Sequence, residues 1–312
     1  MTSYFQFISA KMSVPSSVSG RRKSRFPDTR MQLNFHSDNA SSAELISVSV
    51  VVYRPNRQLL ERTLSTLDAA LDRLRITDHV VSAPLYLVDN GRMERMDWSE
   101  LVGEARLMTT VIEGQGNVGY GRGHNLAIER TSSRYHLILN PDIELGGDAL
   151  SHALTFMEAH PEVGLLSPLI LEEDGDQQFL CRRYPTVFDL FARGFLPSRL
   201  RAPFKNRLAR YEMRDVIDDK NIVWDPPIVS GCFMLFRTDV LKKLGGFDPR
   251  YFLYFEDYDL SLRTHKIARV AYVPSVRVLH HGGDAARKGW THIKLFVTSA
   301  YKFFNRFGWK WI

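Results

Sequence analysis

Only two cysteines, Cys181 and Cys232, occur in 312 residues. No disulfide framework and no CxxC metal knuckle can be built from them, which fits a reducing compartment. Cys232 lies in an apolar run and is expected to be a packed thiol. No stretch of about 20 consecutive apolar residues exists, so no membrane-spanning helix is expected. Tyr4–Ala10 is too short and too polar for the apolar part of a secretory signal, and no positive charge precedes it. Internal repeats, a nucleophile motif for covalent catalysis and any known nucleic-acid motif are also missing.

Acid is unevenly scarce. The net charge is +6, but residues 1–30 carry six bases against one acid, residues 182–214 nine against two, and residues 285–312 six against none. The centre of the chain is correspondingly acidic. Such asymmetry points to anionic partners at particular places. Residues 1–44, rich in Ser, Arg, Asn and Pro, read as a disordered basic tail; a start at Met31 is an alternative reading of the same stretch. A nucleic-acid partner is disfavoured by the acidic centre.

What is present is a regular alternation of strand and helix. Ile46–Tyr53 is a β-branched run that Pro55 stops. Leu60, Leu64, Leu67, Leu71 and Leu74 then share one helix face. Further strands are expected at Leu85–Asp89, Thr109–Glu113, Tyr135–Leu139 and Val163–Leu171, with helices near Gly123–Thr131 and Leu150–Met157. This order implies a mostly parallel sheet with helices on both faces. Ligands of such sheets bind beyond the carboxyl ends of the strands, where Asp89, Gly114–Gly123 and Asp142 all fall. From residue 172 the pattern is less regular: loops with a short helix to 225, a strand at Ile228–Arg237, a short helix at Asp239–Leu244, a strand at Val270–His280 and a helix at Trp290–Phe307.

Several motifs carry chemistry. Asp89 either caps a turn with Asn90-Gly91 or accepts a hydrogen bond from a pyrimidine imide. Asn117-Val-Gly-Tyr-Gly-Arg-Gly-His-Asn125 lets backbone approach a ligand closely. It lacks the GxGxxG spacing of a dinucleotide fold. Asn140-Pro141-Asp142 presents one carboxylate at a strand end, suited to a hard divalent ion on a diphosphate, with Glu144 able to help indirectly. In Gly245–Arg263 a dense aromatic run delivers Glu256, Asp257 and Asp259 to a helix start. Capping explains such acids, but three within four residues beside aromatics favour acid/base work. His280-His281 before two glycines suits a metal or a phosphate.

From about Leu45 onward the motifs VSVVVY, LVDN, GNVGYGRGHN, LNPD, VSGCFMLFR, GGFDPRYFLYFEDYDLSLR and VLHH, in that order, resemble glycosyltransferase family 2, in its rhamnosyltransferase-like branch. The resemblance implies a GT-A fold. It divides the chain into the tail 1–44, a catalytic domain 45–285 with a nucleotide-sugar half (45–171) and an acceptor half (172–285), and a basic amphipathic helix 286–312. It implies an inverting hexosyltransferase of bacterial cell-surface polysaccharide biosynthesis, using Mg²⁺ or Mn²⁺. The donor implied is dTDP-L-rhamnose, with UDP- or dTDP-linked galactofuranose or N-acetylglucosamine as the alternative, and the acceptor a glycan or lipid-linked glycan.

By that resemblance Tyr53 and Asp89 contact the nucleoside, and Asn117, Gly119, Asn125 and Asn140 shape the donor pocket. Asp142 is the last acid of a metal motif whose first acid is replaced, leaving His280, ahead of its neighbour His281, as the second ligand. Asp257 is the catalytic base, with Glu256 and Asp259 as helper candidates. Arg54-Pro55 departs from the family's strand-one ending. Ile293, Phe296, Val297, Ala300, Phe304 and Phe307 share one face of the last helix. That face is read either as a seat on the inner face of the cytoplasmic membrane or as packing on the core. A sugar-binding relative without activity is disfavoured by Asp142, Asp257 and His280.

Overall fold

The structure, a computed structural model, describes residues 44–78, 83–91, 107–282 and 290–312. The basic tail and Gly283 lie outside the described residues. One nine-stranded sheet organises the chain, in the order β3-β2-β1-β4-β8-β6-β9-β5 with β7 on β9. Its strands are β1 Ile46–Val52, β2 Pro84–Asp89, β3 Met108–Ile112, β4 Tyr135–Leu139, β5 Ile143–Leu145, β6 Val163–Leu171, β7 Val223–Trp224, β8 Phe233–Arg237 and β9 Arg269–His280. The helices are α1 Arg57–Asp78, α2 Tyr120–Ile128, α3 Ala149–Ala159, α4 Val187–Gly194, α5 Ser198–Arg201, α6 Lys205–Tyr211, α7 Thr238–Lys243, α8 Glu256–Thr264 and α9 Trp290–Phe307.

β1 pairs in parallel with β2 and β4, and β2 with β3, as the alternation predicts. β8 is antiparallel to β4 and β6, while β6 and β9 are parallel. Two antiparallel steps through β8 therefore restore the original direction, so β1, β2, β4, β6 and β9 all end at one edge. The leucine face of α1 is fully formed: Leu60, Leu64, Leu67, Leu71 and Leu74 are buried in the main core against β1, β2 and β4.

β1 is buried along its whole length, yet it reads ISVSVVV. Its serines have partners. Ser47 Oγ lies 2.7 Å from His136 Nδ1, and Ser49 Oγ 2.9 Å from His136 Nε2 and 2.7 Å from His124 Nδ1. Burial holds both imidazoles neutral, His136 pushed down to about 3 and His124 well below its ordinary value. This polar chain fixes α2 on β1 and β4.

The second half departs from the sequence reading. The segment 172–225 contains three helices where one was expected, with β7 at its end. β8 begins only at Phe233, because Ser230–Cys232 forms a turn at the ligand edge of the sheet. The last helix is a core element. Phe296, Phe303 and Phe304 are buried with Phe255, Tyr258, Tyr251 and Leu190, and Ala300 and Phe307 pack on them. The apolar face read as a membrane seat is thus largely occupied by the protein itself. Its basic side is engaged too: Lys302 Nζ donates to Arg250 O at 2.7 Å, and Arg306 pairs with Asp259 at 2.6 Å and with Asp248. No helix among the described residues is long and apolar enough to cross a membrane.

Candidate active site

The common edge of the strands carries a cavity of about 270 Å³. Asn140, Pro141 and Asp142 line it from the end of β4, His280 from the end of β9, Ser230–Cys232 from the turn before β8, and Leu253–Tyr258 from the aromatic run. Tyr120 closes it from α2.

Asp142 and His280 meet through strand pairing. β5, which starts at Ile143, pairs antiparallel with the end of β9 and sets Ile143 opposite His280. His280 Nε2 then stands 3.5 Å from Asp142 Oδ1. Gln178 orients the ring: its amide nitrogen donates to His280 O at 3.3 Å, and its Oε1 lies 2.8 Å from His280 Nδ1. An amide oxygen only accepts, so Nδ1 carries the hydrogen and Nε2 keeps a lone pair. That Nε2 is buried without a hydrogen-bond partner. An imidazole nitrogen held this way beside a carboxylate is a donor pair that fits a divalent cation. No group of three or more His, Cys, Asp or Glu suited to a metal occurs among the described residues. His281 is differently placed, with Glu144 at 2.6 Å and Glu173 at 2.5 Å on its two nitrogens.

The carboxylates of α8 separate cleanly. Asp257 Oδ2 accepts from Gly231 N at 3.1 Å and Oδ1 from Tyr258 N at 2.9 Å. Glu256, also against the cavity, is 5% exposed and its Oε2 has no partner. Burial, reinforced by Asp257, pushes Glu256 up to about 8. Burial raises Asp257 as well, while its two backbone donors pull the other way. The two backbone donors favour the charged form of Asp257, whereas Glu256 Oε2 has no partner. Asp259 does not belong to the cavity. It is fully buried, with Arg263 at 2.5 Å and Arg306 at 2.6 Å, so it acts as an anchor between α8 and α9 and not as a helper of the base.

The aromatic run is bent to deliver these acids. Tyr254 and Phe255 both adopt left-handed backbone, φ 71 and 65. Such conformations cost about 1–3 kcal/mol each for residues other than glycine. Packing holds them: Phe255 contacts Phe296 and Phe303 at 5.2 Å between ring centroids, and Ser299 Oγ donates to Leu253 O at 2.8 Å.

The donor-side residues divide. Asp89 is 3% exposed and accepts from Gly91 N at 2.7 Å, a turn bond that leaves its second oxygen to other partners. Tyr53 is half exposed beside it, where a Cβ on Gly91 would lie 3.7 Å from Tyr53 Cα. Asn117 Oδ1 accepts from Gly119 N at 3.1 Å, closing the turn into α2. Gly119 is required there: its φ is 91, and a Cβ would fall 2.3 Å from Phe252 O. The other glycines of the motif also serve packing. They let α2, which starts at Tyr120 and not at 123, lie against Phe247 and Val51. Asn125 is no pocket wall. Its amide exchanges two 2.8 Å bonds with the backbone of Phe247 and so clamps the 245–252 loop.

One junction escaped the motif reading. Tyr120 donates through its hydroxyl to Gly231 O at 2.6 Å, and Gly231 N is the donor to Asp257. The turn at Gly231 thus ties the glycine-rich helix to the acid of α8. Gln178 also carried no sequence signal, since it belongs to no motif.

No family model matches the chain. Among curated proteins it is 28% identical over 279 residues to the N-acetylglucosaminyl-diphospho-decaprenol L-rhamnosyltransferase of Mycobacterium tuberculosis, covering 83% of this chain and 84% of that one. It is 28% identical over 177 residues to rhamnosyltransferase WbbL of Escherichia coli K12, covering 53% of this chain and 62% of that one. The mannosyltransferase PcManGT from Pyrobaculum calidifontis, solved with GDP-Man and Mn²⁺, superposes with a TM-score of 0.53 at 19% identity over 81% of this chain and 60% of that one. The chain is a glycosyltransferase with a GT-A fold. GalNAc-T7, solved with UDP, GalNAc and Mn²⁺, shares this fold at a TM-score of 0.54 and 14% identity over 76% of this chain; the glycosyltransferase described here spans 43% of that larger chain. The likeness to rhamnosyltransferases agrees with the family-2 resemblance of the motifs.

Proposed function

We propose that this glycosyltransferase moves L-rhamnose from dTDP-L-rhamnose, with inversion, onto a hydroxyl of a lipid-linked glycan in bacterial cell-surface polysaccharide biosynthesis. The relative of M. tuberculosis, named for rhamnosyl transfer to a diphospho-decaprenol acceptor and matched over 83% of this chain, supports donor and acceptor class. The observation that carries the chemistry is a cavity lined by Asp257, which accepts two backbone hydrogen bonds, by Glu256, pushed up to about 8, and by Asp142 and His280.

The donor's nucleoside end lies toward Tyr53 and Asp89, with Asn117 and Gly119 shaping the turn behind it and Asn140 against the cavity. Asp142 and His280 would hold a magnesium or manganese ion, with Gln178 fixing the imidazole. Bound there, such an ion supplies charge neutralisation for the departing diphosphate. Asp257 accepts the proton of the acceptor hydroxyl as that oxygen attacks the anomeric carbon. Its backbone donors leave each oxygen a further lone pair, and burial makes it a stronger base than a solvated carboxylate. Glu256, protonated, limits the negative charge near the donor's phosphates. Cys232 lines the same cavity but is no nucleophile, because burial pushes its thiol up to about 12. The reaction takes place at the inner face of the cytoplasmic membrane, where a lipid-linked acceptor is reached.

The test is a transfer assay with a synthetic diphospho-polyprenyl N-acetylglucosamine acceptor. dTDP-L-rhamnose, UDP-N-acetylglucosamine and UDP-galactofuranose are offered separately, and the product anomer is read by NMR. The account expects transfer from dTDP-L-rhamnose with inversion. Transfer from a UDP-sugar alone, or retention of configuration, displaces it.

A further inference from the structure

An exposed apolar feature outside the cavity lies on α4, α5 and the turn between them. Phe191, Phe195 and Leu200 are 50%, 42% and 58% exposed, an unusual outlay of large apolar side chains over ten residues. Residues 190–211 contain six bases and no acid. The two acids that flank them are spent internally. Asp189, 5% exposed, closes the capping box of α4 and pairs with Arg207 at 2.6 Å. Glu212, 6% exposed, pairs with Arg193 at 3.1 Å and Arg214 at 2.7 Å. The charge that this stretch shows to solvent is therefore positive, with Arg199 and Lys205 both exposed.

The surface also leads to the cavity. Phe191 stacks on Phe195 at 6.1 Å, Phe195 meets Phe296 at 6.5 Å, and Phe296 meets Tyr254 at 5.8 Å, a residue of the cavity wall. The capping box and the buried Arg193–Glu212 pair hold α4 as a fixed platform.

We propose that Phe191, Phe195 and Leu200, flanked by Arg199 and Lys205, seat the protein on an anionic lipid bilayer. This rests on the lipid-linked acceptor proposed above and names the surface that meets its membrane. Aromatic and leucine side chains enter the headgroup boundary while the bases meet acidic headgroups. Contact there brings the Tyr254 side of the cavity toward the bilayer, where a lipid-anchored sugar ends. The seat is thus on α4 and α5, and the apolar face of α9 is the support behind it.

The test uses full-length protein floated with phosphatidylcholine vesicles, with and without phosphatidylglycerol. Two variants are compared with wild type: Phe191→Ser with Leu200→Ser, and Arg199→Glu with Lys205→Glu. None of these side chains borders the cavity, and Arg201, which holds Leu196 O, is left intact. Wild type is expected to float with phosphatidylglycerol vesicles, and each variant to bind them roughly tenfold or more weakly. Transfer to a detergent-solubilised acceptor should be unchanged, which also reports that the variants fold. Wild-type flotation by both variants overturns the proposal and assigns binding to another part of the chain. Absence of wild-type flotation overturns it as well and leaves the surface to a protein partner. Flotation as expected, in a protein that transfers no sugar, refutes the proposed reaction and not the bilayer seat.

Discussion

The two halves of the sheet are built by different rules. On the proposed nucleotide side, β1–β4 and α1 follow hydrophobic period, apart from the Ser47–His136–Ser49–His124 chain. The strands are short and apolar, the helix carries one leucine face, and the core needs no charged group. On the proposed acceptor side, the cavity wall includes Tyr254 and Phe255 in left-handed backbone, held by α9 and by the buried acid Asp259 between two arginines. The first half is a packed scaffold of strands and one leucine-faced helix. The second stores strain and charge, and it places the reacting groups only while its supports are intact.

The sharpest way to break this comparison is within α8. Asp257→Asn should lower transfer about 10²–10⁴-fold, the usual weight of a general base, with folding retained. Glu256→Gln should cost far less, because Glu256 already carries the proton. Single-turnover rates of the two variants decide it; a dead Glu256→Gln beside an active Asp257→Asn would move the base by one residue.

Next is the support. Phe303 is fully buried and touches Phe255. Phe303→Ala should destabilise by about 3–5 kcal/mol, measured by urea unfolding. At temperatures where it stays folded, transfer should fall more than nucleotide binding. Equal losses would mean that α9 supports the whole sheet and not the acceptor side.

A smaller effect is expected at Gln178. Gln178→Ala frees the His280 ring and should weaken manganese-supported nucleotide binding about 10–100-fold. Unchanged affinity by calorimetry would remove the orienting role.

The mildest test is pH. Glu256 is raised from 4.5 to about 8 on folding, so the native state binds more protons than the unfolded chain between those values. Its favourable contribution is full below 4.5 and is lost as pH rises through about 8. Glu256→Gln removes that dependence, so its Tm relative to wild type should climb from pH 5 to pH 8. A constant difference would show that Glu256 ionises normally.

The same contrast explains what the sequence made legible. Tyr135–Leu139 and Val163–Leu171 match β4 and β6 residue for residue, and the α1 leucines are all buried, because period and turn residues are local signals. Asp142, His280 and Asp257 could be picked out because strand ends and a helix start mark them. Asp259 and Asn125 could not be separated from them by spacing. What distinguishes each is a partner far along the chain: Arg306 for Asp259, Phe247 for Asn125. The α9 face looked available for a membrane because an amphipathic pattern does not say what covers it, and here the covering residues are the cavity's own aromatics. Gln178 acts through its side-chain amide on His280 and Gly231 through a backbone turn, each on a residue far along the chain.

The proposed site divides its labour, with Asp142 and His280 for the diphosphate and Asp257 for the acceptor proton. Its most direct test is calorimetric titration of dTDP in the presence of Mn²⁺, on wild type, Asp142→Ala and Asp257→Asn, each shown to be folded. The account predicts that Asp257→Asn binds as wild type does, while Asp142→Ala loses the manganese-supported part of the affinity. Wild-type binding by Asp142→Ala, or loss of binding by Asp257→Asn, would contradict it.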